Sequence, residues 1–531
     1  MSEYRWLSRG PDGAEAAAGW SLSRVTRPGR LSGANGLRQG PDGRLWVAQV
    51  SGSQISAIDV DTGAIETVSG IDGGIVAPDD LVFDEAGNLY ATEITLGQVS
   101  VRSANGQTRV IQGDMPCANP ITWHQGRLIA GECRVGGRIM ELDLNGGAPR
   151  TILADVPMPN AMAVGPDGLL YLPIMGTNEI WRVNLNGGQP EVIATDLGVP
   201  DAIKFDAKGR IITTQVVSGQ VIRLDPVTGQ REVLAQLAPG LDNVEIIGDR
   251  IFVSSILGTV VEIQSDGTVR DLVPESFNWP HGICVMTDGT CYVADGPFTF
   301  RVHPDGSREI VWFLFDANCP GYTRGIADAG EGLLWVSTAN GHVAKVNPNA
   351  LHSDFVAEGL DRAYGIAGCG EGAVVAEGGT GRVLHVSASG IEVIADGLDE
   401  PRGVAVSGDQ AVFISELGSG QIRSIRGGRV EILVDGLDRP EGLAVTSDHL
   451  YVLETGAGQC LQVDLASGRR SVIATGLPIG TPSGCDARFL RGIDGMSGPM
   501  GPFAGLAIDP SGSLLIAGNA EGSVLRLSPL D

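Results

Sequence analysis

The sequence predicts an all-β protein of twelve four-stranded β-propeller blades, arranged as two tandem six-bladed propellers. A repeated unit runs along the chain, glycine accounts for 77 of the 531 residues, and the glycines recur between short apolar runs. Regular turns between short apolar runs are typical of β-sheet proteins. A chain of this length with 43% hydrophobic residues can form two or more domains with cores of their own.

Each repeat begins with a polar residue, which we call the opening residue. A short apolar strand, a Gly/Asp turn and a second apolar strand follow, as in PNAMAVGPDGLLYLP (159–173) and PEGLAVTSDHLYVLE (440–454). Successive opening residues are 38 to 44 residues apart, except for a last spacing of 63. Four-stranded blades repeat at roughly 40 to 45 residues, and propellers typically have about four to eight blades. The opening residues are Asn35, Asp79, Asn119, Asn160, Asp201, Asp242, His281, Arg324, Tyr364, Arg402, Glu441 and Ala504.

The same alignment predicts the domain organisation. Residues 1–33 form an N-terminal segment, 34–273 the first propeller and 274–531 the second, with the Pro-bounded stretch PESFNWP (274–280) at the junction. The twelfth unit stops after three strands, so we expect residues 20–27 to supply the missing strand of the second propeller. The long last spacing reflects a Gly- and Pro-rich insertion at 477–503, which would be either a cover over the second channel or a mobile loop.

The net charge of the chain restricts the classes of partner that it is expected to bind. The 63 acidic and 37 basic residues give a net charge of −26, which repels phosphate backbones and anionic lipid headgroups. We therefore expect a small-molecule substrate, with no nucleic acid and no membrane as partner. The N-terminus lacks a basic stretch followed by an apolar one, and the eight cysteines lack metal-binding spacing, so the expected location is cytoplasmic. The oligomeric state stays open.

In an antiparallel hairpin the start of the first strand lies beside the end of the second. The opening residues should therefore converge at one mouth of each propeller channel. In the first propeller all six are Asn or Asp, and oxygen donors from several blades favour a hard divalent cation. Ca²⁺ is favoured, with Mg²⁺ or Zn²⁺ as alternatives; these side chains could instead cap turns. The predicted metal ligands are Asn35, Asp79, Asn119, Asn160, Asp201 and Asp242.

The second propeller has a different set. Its side chains suit acid/base chemistry and the binding of anions. An alternative is a solvated channel lined by ion pairs such as Arg402 with Glu416 or Arg324 with Glu377. The predicted catalytic residues are His281, Tyr364, Asp295, Glu441 and Glu454, and the predicted substrate-binding residues are Arg324, Arg402, Glu377 and Glu416.

Two motifs resemble known families. MPNAMAVGPDG, with Asn160, followed by VPDAIKFDAKG, with Asp201, resembles the metal-ligand motifs of the regucalcin/gluconolactonase family. That resemblance implies a six-bladed propeller that hydrolyses lactones with a divalent metal. PHGICVMTDGTCYVAD, with His281 and Asp295, resembles the hairpin of virginiamycin B lyase and related NHL-repeat propellers. There the His and an acid, Glu in that family, serve a metal-assisted elimination.

Three functions remain open at this point. The leading hypothesis is a metal-assisted hydrolase that opens a lactone or similar cyclic ester at a channel mouth. The second is a carbon–oxygen lyase in which His281 is the base and Tyr364 the acid. The third is a non-catalytic scaffold that binds a ligand or a protein at the rims of the propellers.

Overall fold

The computed structural model describes residues 13–481, 490–493, 496–498 and 501–530. Strands are the regular elements of this part of the chain, and they form twelve antiparallel sheets, which confirms the predicted fold class. One compact unit consists chiefly of Arg30–Glu275, and the other of the described parts of Ser2–Gly29, Ser276–Gly492 and Met496–Asp531. Over the described ranges, no helix is long and apolar enough to cross a membrane.

Two short strands come first in the chain, β1 (Glu15–Ala16) and β2 (Trp20–Arg24). The six blades of the first propeller follow, each a meander of four strands consecutive in sequence. They are β3 (Leu37–Gln39), β4 (Leu45–Gln49), β5 (Gln54–Ile58) and β6 (Ile65–Ser69); β7 (Pro78–Phe83), β8 (Leu89–Glu93), β9 (Gln98–Arg102) and β10 (Thr108–Gln112); β11 (Ala118–His124), β12 (Arg127–Glu132), β13 (Gly137–Leu142) and β14 (Arg150–Val156); β15 (Ala163–Val164), β16 (Leu170–Ile174), β17 (Glu179–Val183) and β18 (Glu191–Ala194); β19 (Lys204–Phe205), β20 (Ile211–Thr214), β21 (Gln220–Leu224) and β22 (Arg231–Gln236); β23 (Leu241–Ile247), β24 (Arg250–Ser255), β25 (Val260–Ile263) and β26 (Val269–Val273).

The second propeller repeats the same topology, and its last blade takes three strands from the end of the chain. Its strands are β27 (Ile283–Val285), β28 (Cys291–Asp295), β29 (Phe298–Val302) and β30 (Arg308–Phe313); β31 (Thr323–Asp328), β32 (Leu334–Thr338), β33 (Val343–Asn347) and β34 (His352–Ala357); β35 (Ala363–Cys369), β36 (Gly372–Glu377), β37 (Arg382–Ser387) and β38 (Gly390–Ala395); β39 (Pro401–Val406), β40 (Val412–Glu416), β41 (Gln421–Arg426) and β42 (Arg429–Val434); β43 (Pro440–Val445), β44 (His449–Glu454), β45 (Gln459–Asp464) and β46 (Arg470–Thr475); β47 (Leu506–Ile508), β48 (Leu514–Gly518) and β49 (Ser523–Pro529).

The N-terminal strands complete the second propeller. β2 pairs antiparallel with β49, with Trp20 opposite Pro529 and Arg24 opposite Leu525. The guanidinium of Arg24 also donates two hydrogen bonds, of 2.7 and 3.0 Å, to the buried carboxylate of Glu521. β1 adds a fifth strand to the neighbouring blade by pairing with β46. β49 is thereby paired on both sides, and β2 becomes the outer strand of the last blade.

The core lies between neighbouring sheets, where apolar side chains of successive blades interdigitate. In the first propeller, Leu45 and Val47 pack with Phe252 and Val260, which joins the sixth blade to the first. Ring closure also involves polar contacts, because the Ser254 hydroxyl donates to the Asn35 carbonyl at 2.6 Å. Each propeller unit therefore has its own closed core.

In the second propeller a glycine follows every opening residue. At all six positions, an added Cβ would lie less than 3.0 Å from the carbonyl oxygen of the next blade's opening residue. The inner strands thus approach one another more closely than a side chain would allow. Gly505 closes the ring by donating its amide N–H to the His281 carbonyl at 2.9 Å. The glycines are Gly282, Gly325, Gly365, Gly403, Gly442 and Gly505.

Gly403→Ala tests this close approach. The new methyl group would meet the Glu441 carbonyl, so we expect the second propeller to lose about 1–3 kcal/mol of unfolding free energy. Urea denaturation followed by tryptophan fluorescence measures the change. Gly408→Ala, in the same blade, is the matched control because its Cβ would meet no atom within 4 Å. Equal stability of the two variants would contradict the role assigned to the glycine ring.

Removal of residues 1–24 tests the closing strand. Loss of β2 exposes the edge of β49 and leaves the Glu521 carboxylate without Arg24, so we expect the second propeller to unfold at lower urea. The first propeller should keep its transition, because neither β1 nor β2 belongs to that unit. An unchanged denaturation curve for the whole chain would refute the prediction.

Candidate functional site

The opening residues lie where the inner strands begin. In seven blades the inner strand has a register shift at this point, as between Pro78 and Leu81 around Asp79 or between Pro440 and Leu443 around Glu441. In the other five blades the opening residue lies two or three residues before the inner strand. A bulge re-aims the side chain that it contains, and bulges are common beside functional sites. All twelve opening residues are buried.

The first mouth, defined by the six opening residues of the first propeller, gathers uncompensated negative charge. Burial raises the pKa of Asp79, Asp201 and Asp242 well above the ordinary value of 3.8. The charges of Asp242 and of Asp80 raise the pKa of Asp79 further, Asp79 acts in the same way on Asp201, and Asp201 on Asp242. No cationic side chain counters these shifts. Carboxyl groups from three blades are therefore near enough to raise one another's pKa.

Amide groups link the carboxyl groups of the first mouth. Asn35 Nδ2 donates to Asp242 Oδ2 at 2.9 Å, and Asn119 Nδ2 donates to Asn160 Oδ1. A hydrogen bond from Asn160 partly offsets the rise in the pKa of Asp201. Asn35 Oδ1 also accepts the Val50 amide N–H at 3.1 Å, which is the capping role left open for these residues. The asparagines thus connect blades in addition to facing the channel.

The donor set of the first mouth suits a hard cation in part. In the described part of the chain, no group of three or more His, Cys, Asp or Glu side chains is arranged to hold a metal ion. The carboxyl groups nevertheless raise one another's pKa, and the side-chain amides of Asn160 and Asn35 hydrogen-bond to Asp201 and Asp242. Such a mixed set of oxygens is the kind that Ca²⁺ accepts.

The second mouth, defined by the opening residues of the second propeller, holds two buried arginines. Arg324 is 1% exposed; its Nη1 donates to His281 Nε2 at 3.0 Å and to the Gly501 carbonyl at 3.2 Å. Because the guanidinium donates, His281 Nε2 is an acceptor and the imidazole is neutral. Burial and the charge of Arg324 hold the pKa of His281 well below its usual value of 6.5.

An arginine–tyrosine stack occupies the next two blades of the second mouth. The Arg402 guanidinium lies over the Tyr364 ring, 4.0 Å from its centroid. The Phe503 ring lies 6.2 Å from the Tyr364 ring and comes from the described end of the insertion predicted at 477–503. Residues 482–489, 494–495 and 499–500 of that insertion lie outside the described residues. Its described end therefore contacts the second mouth at both Arg324 and Tyr364.

Glu441 is the acidic member of the second mouth. Its Oε2 accepts the Ala504 amide N–H at 2.7 Å, and its Oε1 accepts the Thr455 hydroxyl at 3.2 Å. Burial raises the pKa of Glu441, while the charge of Arg402 opposes that rise. Both oxygens thus have protein donors, and the residue links the eleventh blade to the twelfth.

The acidic residues that end the second strands bind backbone amide groups in the structure. Each accepts a backbone N–H from the turn that precedes its own blade: Asp295 from Trp279 at 2.6 Å, and Glu377, Glu416 and Glu454 from Asp361, Asp399 and Asp438 at 2.8 Å. These contacts tie each second strand to the turn before its blade, which is a structural role. Neither the catalytic role predicted for Asp295 and Glu454 nor the substrate role predicted for Glu377 and Glu416 has support in these contacts.

The predicted ion-pair alternative for the second mouth is wrong. Glu377 binds Arg382 at 2.7 Å through Nε, and Glu416 binds Arg423 at 2.5 Å. Those arginines lie on the third strand of the same blade, which hydrogen-bonds directly to the second, and are therefore nearer than Arg324 or Arg402. The arginines of the mouth are left without these carboxylates.

Sequence reasoning missed the residue that follows the end of the second strand. Successive side chains of a strand point to opposite faces, so this next residue turns toward the mouth. Thr455 reaches Glu441 in this way, and Cys133 lies near Asp79, Asp201 and Asn119. Burial raises the pKa of the Cys133 thiol, so it is neutral. The two-residue alternation of the strand was the signal that could have found these residues.

The fold and the two mouths define the class of protein: a tandem pair of six-bladed propellers with chemically different channel mouths. Residues 24–237 match the family model "SMP-30/Gluconolactonase/LRE-like region", which confirms the resemblance seen at Asn160 and Asp201. The match covers less than half of the chain. It includes the opening residues of the first five blades and none of those in the second propeller.

Solved propeller structures are similar to the chain at low identity. A streptogramin B lyase is 19% identical, with a TM-score of 0.38, and covers 52% of this chain and 94% of its own. The virginiamycin B lyase of Staphylococcus aureus is 17% identical, with a TM-score of 0.38, and covers 52% and 96%. An extracellular domain of a B. thetaiotaomicron two-component system is 10% identical, with a TM-score of 0.33, and covers 96% and 82%. No curated protein matches the sequence.

Glu416→Ala tests the structural role of the strand-end acids. The substitution leaves the Asp399 amide and the Arg423 guanidinium without their acceptor, so we expect a loss of about 1–3 kcal/mol in unfolding free energy. Urea denaturation measures it. Glu431→Ala, an exposed acid of the same blade, should change stability by less than about 0.5 kcal/mol. Equal losses in the two variants would argue against the role.

Proposed function

We propose that the protein is a hydrolase that opens a lactone or similar cyclic ester at the first mouth with the help of a divalent cation, for which Ca²⁺ is favoured. The observation that carries the proposal is the convergence of Asp79, Asp201 and Asp242 in a buried place without a cationic side chain. Buried carboxylates of this kind either bind protons or hold a cation. The family match over residues 24–237 supports the same propeller.

The proposed ligands are the three carboxylates together with the amide oxygens of Asn119 and Asn160. When bound, a divalent cation would polarise the ester carbonyl and lower the pKa of water. The chain's own residues perform the remaining tasks. One of these carboxylates, in its ionised form, would take the proton from the attacking water, and the Asn35 amide keeps Asp242 oriented through its 2.9 Å hydrogen bond.

The proposed reaction consumes one water molecule. The water oxygen forms a bond to the carbonyl carbon, the ring carbon–oxygen bond breaks, and the departing alkoxide takes the proton that the carboxylate received. Cys133 is unsuited to be the nucleophile because burial raises the pKa of its thiol well above the usual value.

The lyase alternative depends on the second mouth, where the geometry is less favourable. His281 would be the base, but its Nε2 already accepts a hydrogen bond from Arg324, and burial makes the imidazole hard to protonate. Asp295, which would support it, accepts backbone amides of Asn278 and Trp279 instead. A scaffold function would leave the carboxylates of the first mouth without a task.

Metal and pH together provide the first test. The folded-state pKa of Asp79, Asp201 and Asp242 is raised, so their protonated forms stabilise the fold below about pH 4 and that contribution is lost as pH rises. In chelator, we expect the first propeller to lose stability from about pH 4 upward. Addition of Ca²⁺ at pH 7 should restore it. Thermal denaturation between pH 4 and 8, with and without Ca²⁺, measures both effects.

Asp79→Asn sharpens this test because the substitution should raise the stability of the chain in chelator and lower it in saturating Ca²⁺. In chelator at pH 7 the variant removes a repulsive buried charge and should be at least about 1 kcal/mol more stable than the original chain. With saturating Ca²⁺ the order should reverse, because a ligand is lost. Asp196→Asn, at an exposed carboxylate of the same propeller, should respond like the original chain. Failure of every divalent cation tested to stabilise the chain would refute the metal site.

Activity is tested on a panel of lactones and linear esters, with and without chelator. We expect hydrolysis of at least one lactone, loss of turnover in chelator, and a loss of at least about 100-fold in kcat/KM in Asp201→Asn. Product mass distinguishes the alternatives, because hydrolysis adds one water whereas elimination gives a product of the substrate's mass. Turnover that survives both chelator and Asp201→Asn would overturn the proposal.

A further inference from the structure

In the second mouth, four polar groups on Arg324, Tyr364 and Arg402 lack a hydrogen-bond partner. Nη2 of Arg324, Nε and Nη1 of Arg402 and the hydroxyl of Tyr364 are buried and make no hydrogen bond. Their residues are 1%, 7% and 1% exposed, respectively, so solvent does not satisfy them. A buried donor that makes no hydrogen bond costs free energy, and the cost is larger when the donor is charged. Four such groups within three successive blades indicate a place for a ligand.

The charge of these groups is also unbalanced. Arg324 has no carboxylate within ion-pair distance in the described residues, and Arg402 has only Glu400, at 3.6 Å and 42% exposed. The two guanidiniums are close enough that the charge of Arg402 lowers the pKa of Arg324. A structural arginine in a protein interior is normally paired. An anion between the two would remove the imbalance.

The surroundings restrict the type of anion. Glu441 is the buried acid of the same mouth and the half-exposed Glu400 contacts Arg402, so the two arginines already face acidic groups of the protein and a monoanion balances the site better than a dianion does. Phe503 and Tyr364 form an apolar wall beside the donors. The channel of this propeller contains a cavity of about 310 Å³, lined by residues of the six inner strands, chiefly glycines and apolar residues together with Asp328, and by Phe503.

We infer that the second mouth binds a small monocarboxylate with an apolar body, held by the free donors of Arg324, Arg402 and Tyr364. The guanidinium groups supply charged hydrogen bonds to the carboxylate oxygens, and the Tyr364 hydroxyl supplies a neutral one. The neutral His281 fixes Arg324 from the other side through the 3.0 Å contact. The site lies in a different propeller unit from the proposed hydrolase site and does not depend on it.

Calorimetric titration of the full chain with benzoate and acetate tests the inference, with phosphate and benzyl alcohol as comparison ligands. We expect benzoate to bind more tightly than acetate, and benzyl alcohol not to bind. Arg402→Gln should lower the affinity for benzoate at least about tenfold, and Tyr364→Phe should lower it about two- to tenfold. Arg426→Gln, an exposed arginine on the same blade, should leave the affinity unchanged. Phosphate binding as tight as benzoate binding would overturn the preference for a monoanion.

Stability without ligand separates a binding arginine from a structural one. Arg402→Gln removes an uncompensated buried charge, so the ligand-free variant should be no less stable than the original chain, although its benzoate affinity falls. Lower stability with unchanged benzoate affinity would identify Arg402 as structural and refute the inference. Chelator and Asp201→Asn should leave benzoate binding intact, which distinguishes this site from the first mouth. Absence of binding by any carboxylate would also refute it.

Discussion

The second propeller depends on the close approach of its six inner strands at the glycine that follows each opening residue. There the backbone of one blade lies against the opening carbonyl of the next, with no space for a Cβ. Hydroxyl groups strengthen this junction. Ser415, on the second strand of its blade, accepts the Gly403 amide at 2.7 Å and donates to the Glu441 carbonyl at 2.6 Å. The ring is therefore joined by backbone contacts as well as by apolar packing.

This junction explains why the opening side chains are functional candidates. Because the backbone is held by the neighbouring blade, the preceding residue is fixed at the narrowest part of the channel, and its side chain must point toward the mouth. The opening residue does not pack between two sheets, so it does not have to be apolar as core residues do. The second propeller uses this freedom for Arg324, Tyr364 and Arg402, and the first for Asp79 and Asp201.

The two mouths contain buried ionisable groups of opposite sign that lack a full set of partners. The first collects carboxylates without a cation, and the second collects guanidiniums without enough carboxylates. Elsewhere the protein pairs its charges well, as Arg38 with Asp80 and Lys204 with Glu245 show in the first propeller. Buried charge without a partner is costly to the fold. We therefore attribute it to ligands of opposite sign, a cation in one mouth and a carboxylate in the other.

The acidic residues that end the second strands show that the sequence predicts the position of a side chain more readily than its hydrogen-bond partner. Asp295 and Glu454 do lie near the channel mouth, as a hairpin requires, but the direction of a side chain depends on which neighbour offers a hydrogen bond. Backbone amides of the preceding turn take these carboxylates, and Arg382 and Arg423 take those of Glu377 and Glu416. Such competition is decided by the distances from the end of the second strand to the turn before the blade and to the third strand, and these distances are set only in the folded protein.

The sequence by itself determined the fold, because strand alternation, turn residues and a period of about 40 residues are local properties that recur twelve times. It also determined the charge character of each mouth, since the opening residue is set by its place in the repeat. Only the tertiary structure decided which groups are left without partners, as for Arg324 and Tyr364, and which are satisfied, as for Asp295. Hydrogen bonds and burial are formed between blades, so they depend on closure of the ring.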